Sequence, residues 1–184
     1  ACTKNTGMYC FASKSSCRKA CAAGTYLSNI ANHVCSPCSE PGYYCPAGAT
    51  LSLYNFPCPA GKWSSRTNLG FKHECVNQCS AGRYSITAGI SSNLNCSECD
   101  VGKYQPTKGL TFCQLCPPGK YQPDRGSSTC IDCGLDTFTN SSGETECLPC
   151  KGGRKAFNGS ISCNPCEAGK FESLTSGTCE LCSK

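Results

Sequence analysis

Six cysteine doublets carry most of the chemistry open to this sequence: Cys96/Cys99, Cys113/Cys116, Cys130/Cys133, Cys147/Cys150, Cys163/Cys166 and Cys179/Cys182. Two residues lie between the thiols of each doublet, and successive doublets are 12 or 13 residues apart. Thiolates at such distances approach zinc-ribbon spacing, and a lone C-x-x-C is also the arrangement of redox thiols. A redox pair needs a thiol activated at a helix N-terminus, and no helical pattern is present here. Six consecutive doublets with the same glycine and aromatic residues between them also argue against metal. The chemistry expected of them is disulfide formation, with no metal and no cofactor.

The remaining reactive side chains give no catalytic constellation. His33 and His73 stand in different segments without a carboxylate cluster recurring near either, so both are expected to be loop histidines. No nucleophile motif, phosphate loop or carboxylate pair is found, and the chain is not expected to be an enzyme. Asn140-Ser141-Ser142 and Asn158-Gly159-Ser160 are N-glycosylation sequons near the middle of cysteine-bounded loops, whereas Asn95-Cys96-Ser97 fits only formally. A cation recurs beside the ring positions, at Lys62, Arg83, Lys103, Lys120 and Lys170. At one charge per repeat it is read as a solvated face rather than a basic stripe for an anionic polymer.

These groups must be positioned by a chain with little apolar material. Cysteine supplies 22 of 184 residues, while Leu, Ile, Val and Phe together make up only about 14%. Nineteen glycines and eleven prolines point to turns. Cross-links must therefore provide the order that burial cannot. So many cystines survive only in an oxidising compartment, which places the chain outside the cell, secreted or at the cell surface. The net charge of +5 is scattered singly, so nucleic acid is not an expected partner. No apolar run approaches the ~20 residues that span a bilayer, and the opening residues lack a signal-peptide pattern, so the chain is expected to be mature or excised.

From Cys79 the sequence repeats every 16 to 17 residues. A glycine stands three residues after the repeat's first cysteine and an aromatic two residues later: Gly82/Tyr84, Gly102/Tyr104, Gly119/Tyr121 and Gly169/Phe171, with Gly24/Tyr26 and Gly61/Trp63 upstream. The glycine is expected to turn the chain with positive φ, and the ring to cover the disulfide beside it. A second turn follows at Gly109, Gly126, Gly143, Gly159 and Gly177. Two repeats break the pattern: Asp136 replaces the first glycine, and Phe157 stands two residues late after Gly152, Gly153, Arg154 and Lys155. The fold class expected is small and disulfide-rich, an elongated rod of tandem cystine-stapled β-loops with no large core. Residues 1–20 read as an atypical cap, 21–78 as irregular repeats and 79–182 as regular ones.

The run Cys116-Pro117-Pro118-Gly119-Lys120-Tyr121-Gln122, continuing to Cys130-Ile131-Asp132-Cys133, resembles the ephrin-receptor-like cysteine-rich repeats and, more loosely, the first loop of tumour necrosis factor receptor modules. The resemblance is strong from Cys79 to Cys182 and partial from Cys21 to Cys75. It implies extracellular spacers, stalks or receptor ectodomains without catalytic residues. It also implies loops that close on themselves, as in the receptor modules: Cys79 with Cys96, Cys99 with Cys113, Cys116 with Cys130, Cys133 with Cys147, Cys150 with Cys163 and Cys166 with Cys179. Cys21 with Cys35, Cys38 with Cys45 and Cys58 with Cys75 extend the scheme. A staggered alternative joins neighbouring doublets, Cys96 with Cys113 and Cys99 with Cys116 and so on, and spacing alone does not separate the two. The self-closing scheme leaves Cys2, Cys10, Cys17 and Cys182, candidates for bonds between chains.

Two functional classes fit this sequence. One is a structural repeat protein of an extracellular filament, coat or stalk, self-associating or joined to other extracellular structural proteins and carrying N-linked glycans. The other is a receptor or adhesion ectodomain, whose protein ligand would meet the irregular segment around Tyr43, Tyr44, Cys45, Phe56 and Trp63.

Overall fold

The structure, a computed structural model, describes residues 8–10, 17–50, 53–151, 154–173 and 179–182. Among them the strands form nine two-stranded antiparallel sheets. Met8–Cys10 pairs with Cys17–Lys19, Thr25–Asn29 with Val34–Pro37, Lys62–Trp63 with Asn77–Gln78, and Arg83–Tyr84 with Ser97–Glu98. Lys103–Tyr104 pairs with Gln114–Leu115, Lys120–Tyr121 with Ile131–Asp132, and Thr137–Phe138 with Leu148–Pro149. Arg154–Lys155 pairs with Asn164–Pro165, and Lys170–Glu172 with Cys179–Leu181. Ladders this short have no stability of their own in water. A cystine closes each of the described repeats: Cys21–Cys35, Cys38–Cys45, Cys58–Cys75, Cys79–Cys96, Cys99–Cys113, Cys116–Cys130, Cys133–Cys147, Cys150–Cys163 and Cys166–Cys179.

Six of the strand pairs are entered through a tight turn that the sequence dictates, closed by the N–H of Thr25, Lys62, Lys103, Lys120, Thr137 or Lys170. In Pro117-Pro118-Gly119-Lys120 the Lys120 N–H donates to the Pro117 carbonyl at 3.1 Å, and Gly119 has φ of 83°. Proline presets the second corner and glycine accepts the left-handed third, the composition of a type II turn. Asp136 takes the glycine's place and its conformation, with φ of 59°.

The chain divides into two compact units. The first comprises Ala1–Ser80, Tyr84–Ser97 and Lys108–Thr111. Its interior is built of cystines with a few aliphatics, in three clusters: Cys38, Cys45 and Ala49; Cys58, Leu69 and Cys75; Cys79, Ile90 and Cys96. Tyr26 packs on the first cluster, Tyr44 on the second and Trp63 on the third. The ring therefore covers the cystine of the following repeat rather than that of its own, which ties successive repeats together. Backbone bonds do the same: the N–H groups of Gly48, Asn68 and Gly89 donate to the carbonyls of Cys21, Cys38 and Cys58 at 2.7 to 2.9 Å.

The second unit comprises Ala81–Arg83, Glu98–Thr107 and Phe112–Lys184. Among the described residues the buried ones here include Cys99, Cys116 and Cys133 together with Gln105, Gln122, Thr139, Ala156 and Ser173. Three backbone bonds link one repeat to the next. Gly102 N–H donates to Gln122 C=O at 2.7 Å, Gln105 N–H to Ser127 C=O at 3.1 Å, and Gly126 N–H to Cys99 C=O at 2.8 Å. The same three recur one repeat later, from Gly119 to Thr139, Gln122 to Glu144 and Gly143 to Cys116. These bonds satisfy backbone groups of neighbouring repeats without a large sheet.

The repeat that departs from the pattern resolves differently from its sequence. Arg154 pairs with Pro165 and Lys155 with Asn164, as Thr137 pairs with Pro149 and Phe138 with Leu148 one repeat earlier. Lys155, not Phe157, therefore occupies the ring register. Gly152, Gly153 and Gly177 lie outside the described residues.

Candidate functional site

The two histidines are held by local structure. His33 has φ of 53°, and its Nε2 lies 2.7 Å from the Lys19 carbonyl. His73 stacks on Phe71, with ring centroids 5.3 Å apart. Beside it, Glu74 accepts hydrogen bonds from Phe71 N–H at 2.8 Å and Gly70 N–H at 2.6 Å. These bonds, the Phe71 one foremost, hold its carboxyl below the usual range. The arrangement caps a turn and presents no acid–base pair to a cleft. Among the described residues no three His, Cys, Asp or Glu side chains come together as a metal site.

The irregular aromatic segment is split between core and surface. Tyr44 packs on the Cys58–Cys75 cluster and meets Phe56 with centroids 5.7 Å apart. Trp63 covers the Cys79–Cys96 cluster and donates its indole N–H to the Gln78 carbonyl at 3.1 Å. Cys45 is fully buried in its disulfide. Tyr43 is half-buried with its ring end against Gly89, and it meets the 62% exposed Tyr54 edge-on at 5.1 Å. A shallow recess of about 340 Å³ lies nearby, lined by Pro46, Ala47, Gly48, Ala49, Thr50, Asn55 and Phe56. Its lining carries no charged side chain.

Three of the five recurring cations are engaged by carboxylates. Arg83 pairs with Glu98, Lys120 with Asp132 at 2.8 Å and Lys170 with Glu167 at 2.7 Å. Lys62 and Lys103 stand opposite Gln78 and Leu115 across their strand pairs. Arg83, Lys120 and Lys170 are thus engaged within their own repeats.

Both sequon asparagines are exposed. Asn140 follows its strand, and Ser141 Oγ lies 3.3 Å from Asn140 Oδ1. Asn158 sits inside a closed turn: Ser160 N–H donates to the Phe157 carbonyl at 3.1 Å, and Phe157 N–H donates to Ser160 Oγ at 3.0 Å. Asn95 is held in a 3-10 turn, its Oδ1 accepting from Ser92 Oγ at 2.9 Å. Cys182 is exposed and unbonded, and its N–H donates to Gly169 C=O at 2.9 Å, the bond that repeat-opening cysteines such as Cys116 make to Gly102. Cys2 lies outside the described residues. Cys10 and Cys17 face each other across a strand pair, with only their backbones described.

One class of structural residue escapes a reading of cysteines and rings. The position after five of the rings is polar yet buried, at Ser64, Ser85, Gln105, Gln122 and Thr139, whereas the apolar Leu27 follows Tyr26. Gln122 donates from Nε2 to the Thr129 carbonyl at 2.8 Å and accepts from Asp124 N–H at 3.0 Å, bracing the second turn from inside. Ser64 and Ser85 accept in the same way from Arg66 and Thr87 N–H. The signal was a hydrogen-bonding residue recurring directly after the aromatic.

Residues 87–129 and 119–156 match the family model described as tyrosine-protein kinase ephrin type A/B receptor-like. No curated protein matches the chain.

Proposed function

We propose, for a chain whose residues 87–156 belong to the ephrin-receptor-like cysteine-rich repeats, a non-enzymatic structural role in an extracellular filament, coat or stalk. The family is of receptor-ectodomain type, and nine cystines require an oxidising compartment, so the setting is extracellular or cell-surface. No helix among the described residues is long and apolar enough to cross a membrane. The observation that carries the structural reading is the repeated backbone linkage: the same three bonds join Cys99–Cys113 to Cys116–Cys130, and Cys116–Cys130 to Cys133–Cys147. Such a unit spends its interior on joining its neighbours, which suits a spacer. On this reading the chain self-associates or joins other extracellular structural proteins, and Asn140 and Asn158 carry N-linked glycans. Electron microscopy of native material tests it. Ordered fibrils or a coat lattice support the role, and isolated particles at all concentrations overturn it.

A second reading, a receptor or adhesion ectodomain, draws on the exposed Tyr54 against Tyr43 beside the uncharged recess. Tyrosine anchors of this kind are common at protein interfaces. Under this reading Tyr54→Ala weakens adhesion of cells or purified partner about tenfold or more while fibril formation, if any, is unchanged.

A further inference from the structure

We propose that the glycan on Asn158 lies against the ring of Phe157, making the two sequons unequal: the Asn158 sugar is a packed part of its turn and the Asn140 sugar a solvated branch. This rests on the extracellular, glycosylated reading above. The starting point is the exchange of roles in this repeat. In three repeats of the unit the ring after the first turn is half-buried, at Tyr104, Tyr121 and Phe138, and Phe171 is 47% exposed. In the repeat Cys150–Cys163 that register belongs to Lys155, and Phe157 is carried two residues on, where it is 76% exposed. An exposed phenyl ring at a turn corner has its apolar face in water, and covering it is favourable.

The turn fixes what stands beside that ring. Phe157 and Ser160 are its corners, joined by two hydrogen bonds, and Gly159 has φ of 73°. Gly159 N–H is anchored in turn to the Cys133 carbonyl at 2.8 Å. Asn158 is therefore held at an outer corner, its amide one residue from the ring. In the transfer the Asn158 amide nitrogen bonds to the anomeric carbon of a lipid-pyrophosphate-linked oligosaccharide. The carbon–oxygen bond to the pyrophosphate breaks with its electron pair leaving on oxygen, and the amide gives up one proton to base. The first sugar, an N-acetylhexosamine, has one face of axial C–H groups, the surface that aromatic faces accept. Asn140 lacks such a neighbour, because Phe138 two residues before it is half-buried and paired with Leu148.

The test uses the full chain secreted from a eukaryotic line, with peptide mass spectrometry at both sequons. Amide exchange at Ser160 is then compared in the wild type, Phe157→Ala, Asn158→Gln and the double variant. Occupied Asn158, together with exchange about threefold faster in Phe157→Ala but unchanged by the same substitution in the Asn158→Gln background, is the expected result. An occupied Asn158 with equal effects of Phe157→Ala in both backgrounds overturns the stacking and leaves glycosylation standing. An unmodified Asn158 overturns both. Fibril formation bears on neither outcome, so the structural role stands or falls separately.

Discussion

Lys155 Nζ lies 3.4 Å from Asp136 Oδ2, joining the residue that replaces a first-turn glycine to the residue that replaces the ring of the following repeat. The two departures from the repeat thus meet in one ion pair. Asp136 N–H donates to the Ala156 carbonyl at 2.9 Å, as Gly119 N–H donates to that of Thr139, so the backbone linkage survives while the side chains change.

The pair is half-exposed, with 31% and 42% of the two side chains accessible, so its coupling should be small. Lys155→Met should cost about 0.5 kcal/mol in the natural sequence and about nothing in an Asp136→Gly background. Asp136→Ala should cost more, about 1–2 kcal/mol, because alanine resists the left-handed conformation that aspartate tolerates. Denaturant unfolding with disulfides intact measures all three.

Gln122 offers a test of the buried polar position. Truncation to alanine leaves the Thr129 carbonyl and Asp124 N–H without their partner, at about 1–3 kcal/mol for each group cut off from water. The loss should appear as faster amide exchange at Asp124 and through the second turn of Cys116–Cys130. Gln122→Glu keeps the acceptor and loses the donor, so Asp124 should stay protected while the turn around Thr129 loosens.

Glu74 gives the chain a local dependence on acid. Its carboxyl is lowered by the Phe71 and Gly70 N–H groups, with His73 and Arg66 adding smaller charge effects. A group whose pKa is depressed on folding stabilises the fold above the unfolded value, and that stabilisation is lost as pH falls through the folded one. The Gly70 and Phe71 amide resonances should therefore hold steady at neutral pH and move together below the ordinary carboxylate range. Glu74→Gln should abolish the movement.

The repeat unit was readable because turn glycine, ring, second turn and doublet each have a local signature in residue type and spacing. Asp136 too was visible as a replacement, since the ring position after it stays fixed. Lys155 also stands at the ring spacing, five residues after Cys150 as Tyr121 is after Cys116, but a cation there hides the register when the aromatic Phe157 is followed instead. The seat of each ring was also hidden. Tyr44 reaches the Cys58–Cys75 cluster of the next repeat, a contact that no motif within its own repeat encodes. The buried glutamines look like surface residues until the turn they brace is drawn.

A contact between one repeat and the repeat after next makes the sharpest contrast between two similar residues. A Cβ on Gly102 would fall far inside contact distance of the Gly143 carbonyl, which belongs to the second turn of the repeat after next. Gly61 meets Gly109 in the same way, and Gly82 meets Gly126. Gly102 therefore has two reasons to be glycine, a φ of 72° and a filled space where a side chain would begin. Gly169 has only the first: its φ is 83°, and no atom lies within 4 Å of its added Cβ. Gly169→Ala should cost only the conformational penalty, about 1–2 kcal/mol. Gly102→Ala must in addition push the Gly143 turn away and break the Gly143 N–H bond to Cys116, for a total of about 3–5 kcal/mol. Limited proteolysis checks the difference, since cleavage should open at the turn around Gly143 in Gly102→Ala and leave that turn intact in Gly169→Ala. Equal cleavage in the two variants would show that the contact across two repeats carries no stability.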